Sequence, residues 1–84
     1  MTFRIEVIDA THPKNNGTYN VNGSLENAKA TARGLMKAHG LVGASIYDEA
    51  ERKLWTVTHA GKTETDFTAD RSGRVRGQLT RLFL

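Results

Sequence analysis

SLENAKATARGLMKAHG, residues 24–40, carries the clearest helical pattern in the chain, and the other elements are placed around it. Ser24 is a favourable N-cap residue, and Glu26 in the first turn suits the positive end of the helix dipole. Gly40 stands where a left-handed residue commonly ends a helix. One stripe of the helix collects apolar residues and a histidine: Leu25, Ala28, Ala32, Leu35, Met36 and His39. We interpret Gly34, which is unfavourable inside a helix, as a point of close approach to a sheet.

Segments with strand character lie on both sides of this helix. Before it, TFRIEVID (2–9) alternates apolar and polar residues, and TYNVN (18–22) returns after a turn to complete a hairpin. Three more strands are predicted after the helix: VGASIYD (42–48), KLWTVTH (53–59) and TETDFT (63–68). The last of these is expected at an edge of the sheet, where it would be open to pairing with another chain.

The tail, RSGRVRGQLTRLFL (71–84), combines four arginines with no acidic residue. Four of its apolar residues lie at helical intervals and predict a short C-terminal helix, docked on the core or on a partner: Val75, Leu79, Leu82 and Phe83. The whole chain has 12 basic and 9 acidic residues, so residues 1–70 hold eight basic against nine acidic residues. The high isoelectric point therefore comes from the tail.

The predicted class is α+β, in the order ββαβββα. An antiparallel sheet of 4–5 strands would carry the long helix on one face, with the short C-terminal helix added, in a single domain of residues 1–84. A chain of 84 residues buries only about 60% of its unfolded surface, which favours an oligomer or a bound partner. The absence of cysteine, of a signal peptide and of a long apolar run predicts a cytoplasmic protein without a membrane span.

Basic residues on the two predicted helices form the candidate binding surface. Lys29, Arg33 and Lys37 are spaced four residues apart, which predicts a basic ridge on the exposed side of the long helix. The tail adds Arg74, Arg76 and Arg81. Such a surface would bind a protein partner or nucleic-acid phosphates in a salt-dependent way. The ordinary interpretation is a solvated face that keeps a small protein soluble.

No residue pattern indicates catalysis. His12, His39 and His59 lack metal-ligand spacing, and no serine lies in a nucleophile elbow. The acidic residues between Asp48 and Glu51 are expected in a solvated hairpin turn, whereas acid–base chemistry needs shielded carboxylates. We therefore predict no enzyme, no catalytic residue, no metal and no cofactor.

Residues 18–68 carry a family resemblance. NGSLENAKATARG followed by GASIYDEAERKLWTVTHAGK resembles the hairpin–helix–hairpin build of small phage anti-CRISPR proteins that act on type I surveillance complexes. The shared features are a cap-Leu-x-x-Ala-Lys helix start, a glycine-terminated helix, and a Leu-Trp strand that leads into a Gly-Lys turn. The resemblance implies binding to a Cas surveillance-complex subunit and blockage of target DNA, and it supplies no catalytic residues.

The leading hypothesis is a non-catalytic binding protein, a phage or mobile-element inhibitor that docks on a nucleic-acid-targeting complex. One alternative is a direct nucleic-acid-binding domain that uses the basic helix faces. Another is a dimeric bacterial structural or assembly module.

Overall fold

A computed structural model of the protein describes residues 1–8, 17–69 and 75–83. Six strands pair antiparallel in one sheet, in the order β2-β1-β3-β4-β5-β6. The strands are β1 (Thr2–Ile8), β2 (Gly17–Asn22), β3 (Gly43–Tyr47), β4 (Lys53–Thr58), β5 (Thr63–Ala69) and β6 (Val75–Leu82). The helix α1 (Leu25–His39) connects β2 to β3, and a 3₁₀ turn (His59–Gly61) connects β4 to β5. The prediction of an α+β fold with an antiparallel sheet and one long helix is confirmed.

The helix begins and ends at the residues that the sequence indicates. The Ser24 hydroxyl accepts a hydrogen bond from the Asn27 backbone N–H at 3.1 Å. Gly40 is left-handed with a φ of 61°, and its N–H donates to the Met36 carbonyl. Each cap supplies a partner for a backbone group that a helix end leaves unpaired.

The core lies between α1 and the centre of the sheet. In β1, Phe3, Ile5 and Val7 are buried and alternate with more exposed residues, as the sequence predicts. The remaining buried apolar residues come from the helix, the turn after it and the next two strands: Ala28, Ala32, Met36, Leu41, Ala44, Ile46, Trp55 and Val57. Ala28 and Ala32 are fully buried. Their small side chains let the helix backbone approach the sheet closely.

The predictions of 4–5 strands and of a C-terminal helix are wrong. Residues 75–82 form β6, which pairs with β5 from Thr63↔Leu82 to Ala69↔Val75. Strand β5 is therefore an interior strand and not the expected edge. The pairing supplies hydrogen-bond partners for the outer backbone groups of β5, a gain that outweighs the weak helical preference of a segment containing Gly77 and Thr80.

A row of hydroxyl groups crosses four strands on the face turned away from α1. Ser45 and Thr56 lie opposite each other with their oxygens 2.9 Å apart, and Thr65 and Thr80 repeat the arrangement at 3.1 Å. Thr56 and Thr65 are also directly opposed across β4 and β5. Because successive residues of a strand point to opposite faces, this register leaves Glu64 free to point toward α1.

Gly34 offers the simplest test of the helix. A methyl group added at its Cα would meet no atom within 4 Å outside the adjacent helix backbone, and the residue is exposed. The proposed close approach to the sheet is therefore not its role. Gly34→Ala should stabilise the protein by about 0.5–1 kcal/mol, because alanine loses less backbone entropy on folding. Urea denaturation would measure the gain, and a destabilised variant would contradict the helix placement.

Candidate functional site

A cleft of about 610 Å³ opens beside the C-terminal half of α1. This volume is within the ~300–1,000 Å³ typical of ligand sites. The opposite wall consists of the 3₁₀ turn and the paired ends of β5 and β6. The cleft combines three cations, one acid, three large apolar side chains and two turn residues: Arg33, Lys37, Arg81, Glu64, Met36, Val57, Phe83, Ala60 and Gly61. We call it the cationic cleft.

An ion pair between the helix and β5 forms one side of the cationic cleft. Arg33 Nε donates to Glu64 Oε2 at 2.9 Å, and Arg33 Nη2 donates to Oε1 at 2.6 Å. Glu64 is only 5% exposed. The hydrogen bonds from Arg33 hold the pKa of Glu64 below its ordinary value of 4.5, against the opposing effect of burial. The carboxylate therefore stays ionised, with both oxygens engaged.

Trp55 lies beneath this pair at the edge of the core. The Arg33 guanidinium carbon is 5.5 Å from the centroid of the indole ring, within the range of a cation–π contact. The buried Nε1 makes no hydrogen bond of normal geometry with any residue that the structure describes. Its N–H nevertheless contributes a smaller lowering of the Glu64 pKa. Trp55 is the single tryptophan of the chain, so its fluorescence reports on this region.

The basic residues of the predicted ridge on α1 do not all face solvent. Lys29 is only 8% exposed. Its Nζ lies 2.6 Å from Asp66 Oδ1 and 3.4 Å from Glu26 Oε1. The expectation of a solvent-facing Lys29 is therefore wrong, because Asp66 on β5 draws the side chain over the sheet. Lys37 is exposed and has no acidic partner within the described residues.

Arg81 reaches the same cleft from β6. It lies opposite Glu64 in the strand register. Arg81 forms no ion pair in the described part of the chain, and Arg33 engages both Glu64 oxygens. The structure thus brings together Arg33, Lys37 and Arg81, three of the six predicted binding residues. The backbone of Arg76 belongs to β6, and Arg74 lies outside the described residues.

The 3₁₀ turn that borders the cleft has an unusual backbone. His59, Ala60 and Gly61 have φ values of 53°, 56° and 97°. Left-handed conformations cost about 1–3 kcal/mol at residues other than glycine, and they concentrate at ligand sites. The Ala60 N–H donates to the Val42 carbonyl at 3.1 Å, which helps to hold the turn. The sequence indicated a positive φ only at Gly61, since histidine and alanine carry no such signal.

The acidic turn after β3 is structural and differs from its prediction as a solvated loop. Asp48 is buried, and its carboxylate accepts hydrogen bonds from the Ala50 and Arg52 N–H groups and from the Arg52 guanidinium. Burial alone would raise the Asp48 pKa, but the contacts with Arg52 and Ala50 lower it below 3.8. No local sequence pattern indicated that this carboxylate would be enclosed.

Within residues 1–8, 17–69 and 75–83, no group of three or more His, Cys, Asp or Glu side chains is arranged to hold a metal ion. No helix in those ranges is long and apolar enough to cross a membrane. Comparison of the chain with protein-family models, curated proteins and solved structures found no significant match.

Proposed function

We propose that this protein is a non-catalytic binding protein whose cationic cleft receives an acidic segment of a protein partner. One observation carries the proposal: Lys37 and Arg81, which have no acidic partner among the described residues, line the same cleft as exposed apolar surface from Phe83. A partner that offers carboxylates beside an apolar or aromatic side chain would match both properties of the cleft.

The charge arrangement favours a protein over a nucleic acid. Nucleic-acid affinity depends on several cations that are free to neutralise phosphates. On α1, Lys29 and Arg33 are already paired with Asp66 and Glu64. A phosphate backbone needs a longer run of free cations, whereas a peptide can place one carboxylate near Lys37 and another near Arg81. Direct nucleic-acid binding remains the alternative, with the tail arginines as its additional source of charge.

The buried carboxylates support a role without catalysis. General acid–base catalysis works best with groups that exchange protons near the operating pH. Glu64 and Asp48 are each held ionised by an arginine, with pKa values below the ordinary range. Their enclosed charges strengthen the fold and offer no proton.

The resemblance to phage anti-CRISPR proteins suggests the partner's class. We propose a subunit of a nucleic-acid-targeting complex, which this protein would block by covering the surface that receives target DNA. The proposal includes a cytoplasmic location, which the lack of cysteine supports.

Neutralising the two free cations of the cleft should weaken partner binding. We expect Lys37→Gln and Arg81→Gln each to reduce affinity about two- to fivefold, the effect of losing one ion pair at an interface rim. Lys53→Gln is the matched control, because Lys53 is an exposed lysine on β4 that does not line the cleft. Arg33 is unsuitable for this test, since its removal would also leave Glu64 without its counterion.

Tagged wild-type protein and the three variants would be incubated with host lysate, with and without nuclease, and washed at graded salt concentrations. A protein complex that survives nuclease, weakens in both cleft variants and persists in the Lys53 variant is the expected result. Retention of nucleic acid alone, abolished by nuclease and by high salt, would replace the proposal with direct nucleic-acid binding. Equal retention by all four proteins would rule out the cleft as the binding surface.

A further inference from the structure

Strand β6 is one of the two edge strands of the sheet in the described part of the chain, with β5 on one side and no strand on the other; β2 is the other edge. Large apolar residues are concentrated here. Leu79 is 56% exposed, Leu82 75% and Phe83 45%. A long edge strand with exposed apolar side chains is a template for pairing with another strand.

One hydrogen bond shows which backbone groups of β6 point away from β5. The Phe83 N–H donates to the Lys62 carbonyl at 2.6 Å, so Phe83 directs its backbone groups toward the β5 side. Backbone direction alternates along an antiparallel strand, and the β5–β6 register is unbroken from Leu82 to Gly77. Gln78, Thr80 and Leu82 therefore present their N–H and C=O groups to the open side.

We propose that two copies of this protein pair through β6, antiparallel, around a twofold axis at Leu79. In this register, Gly77 lies opposite Arg81 and Gln78 opposite Thr80, so residues 77–81, where the register with β5 is regular, pair with themselves. Residues whose backbone groups face outward pair with one another, as in a regular antiparallel ladder. Each Arg81 is therefore opposite a glycine of the other copy and not opposite the other Arg81.

A second copy is the occupant that the edge itself favours. When two copies of β6 run antiparallel, the outward N–H groups of each copy face the outward C=O groups of the other. Both copies then use the same surface, as a closed twofold interface requires. Leu79 lies beside its own counterpart on the face that carries α1. The exposed apolar side chains of this region lie along the strand that forms the interface. The twofold axis is perpendicular to the sheet. Both helices and both cationic clefts therefore lie on one face of the joined sheet. The inference concerns β6 alone and does not depend on what the cleft binds.

Cysteine cross-linking tests the register directly, because the chain contains no natural cysteine. Leu79 directs its backbone groups toward β5, so Leu79 and its counterpart form a non-hydrogen-bonded pair with Cα atoms about 4.5 Å apart, close enough for a disulfide. Leu79→Cys should form a covalent dimer under mild oxidation with copper phenanthroline. Leu82→Cys is the control, since residue 82 lies three positions from the axis and its own counterpart is about 20 Å away along the strands.

Analytical ultracentrifugation of the unmodified chain provides the second measurement. Gln78→Pro removes an outward-facing N–H, leaves the β5–β6 hydrogen bonds intact and should weaken dimerisation at least tenfold. Gln78→Ala should stay within about twofold of wild type. Circular dichroism would verify that each variant folds, and Leu79→Lys, which opposes two charges at the axis, replaces Gln78→Pro if that variant unfolds. A wild-type chain that stays monomeric at several hundred micromolar would overturn the proposal. Equal cross-linking at residues 79 and 82 would overturn the register.

Discussion

Trp55→Ala should remove a large part of the protein's stability. Trp55 is 0% exposed and is the largest of the fully buried side chains. Truncation of a buried tryptophan costs about 3–5 kcal/mol, because the surrounding atoms do not collapse into the cavity. A chain of this length has a total stability of about 4–13 kcal/mol, scaled from the usual value per residue. The variant should therefore be partly or wholly unfolded at 37 °C.

Urea denaturation followed by circular dichroism would measure this loss, because the variant lacks the only tryptophan fluorophore. Ile8→Ala is the control, since Ile8 is an apolar residue of β1 that is 51% exposed, and it should change stability by about 0.5 kcal/mol or less. If both variants had the same urea midpoint of unfolding as the wild-type protein, the placement of β4 at the centre of the core would be wrong.

Arg33→Ala should destabilise the protein and alter its response to acid. The substitution leaves the buried Glu64 carboxylate without its two hydrogen bonds. Breaking a fully buried pair costs about 3–5 kcal/mol, but the Arg33 side chain is about half exposed, so we expect about 1–3 kcal/mol at neutral pH. Lys37→Ala, one turn further along α1 at an exposed site, should cost less than about 0.5 kcal/mol.

The acid response follows from the direction of the pKa shift. The folded-state pKa of Glu64 lies below its ordinary value of 4.5, so the folded protein binds fewer protons than the unfolded chain in that range. The stabilisation is complete above the unfolded pKa and is lost as the pH falls through the folded pKa. Asp48 adds a loss of the same sign below 3.8.

Denaturation curves between pH 7 and pH 3 would test this. The wild-type protein and Lys37→Ala should lose stability steeply below about pH 4.5. Arg33→Ala should show a shallower fall, because burial without a counterion raises the pKa of Glu64 back toward or above its ordinary value. Parallel curves for all three proteins would show that the Arg33–Glu64 pair contributes no acid sensitivity.

The local pattern was sufficient for β1 and for the two ends of α1. Phe3, Ile5 and Val7 alternate in the sequence and are buried in the structure, and the caps at Ser24 and Gly40 mark the two ends of α1. These predictions succeeded because the period of burial equals the period of the element, and because cap residues act on backbone groups only a few positions away.

The candidate cleft was only partly predictable. The sequence identified Arg33, Lys37 and Arg81 as candidate binding residues, but assigned Arg81 to a helix. It did not indicate that Lys29 would be covered, or that Glu64 would enter the core side of the sheet. Ion pairs between α1 and β5 join residues 31 and 37 positions apart, and no local pattern records such distances.

Local sequence was sufficient to predict the helix, its caps and the strand character of residues 2–8, 18–22, 43–47, 53–58 and 63–68. The conformation of residues 75–82 depends on tertiary pairing. The spacing of Val75, Leu79 and Leu82 suits a helix, yet β5 offers a row of backbone partners that only an additional strand can pair. The same pairing places Arg81 in the cationic cleft and leaves β6 as an edge. Hydrogen bonding between distant backbone segments, which local sequence does not encode, therefore determined both proposed binding surfaces.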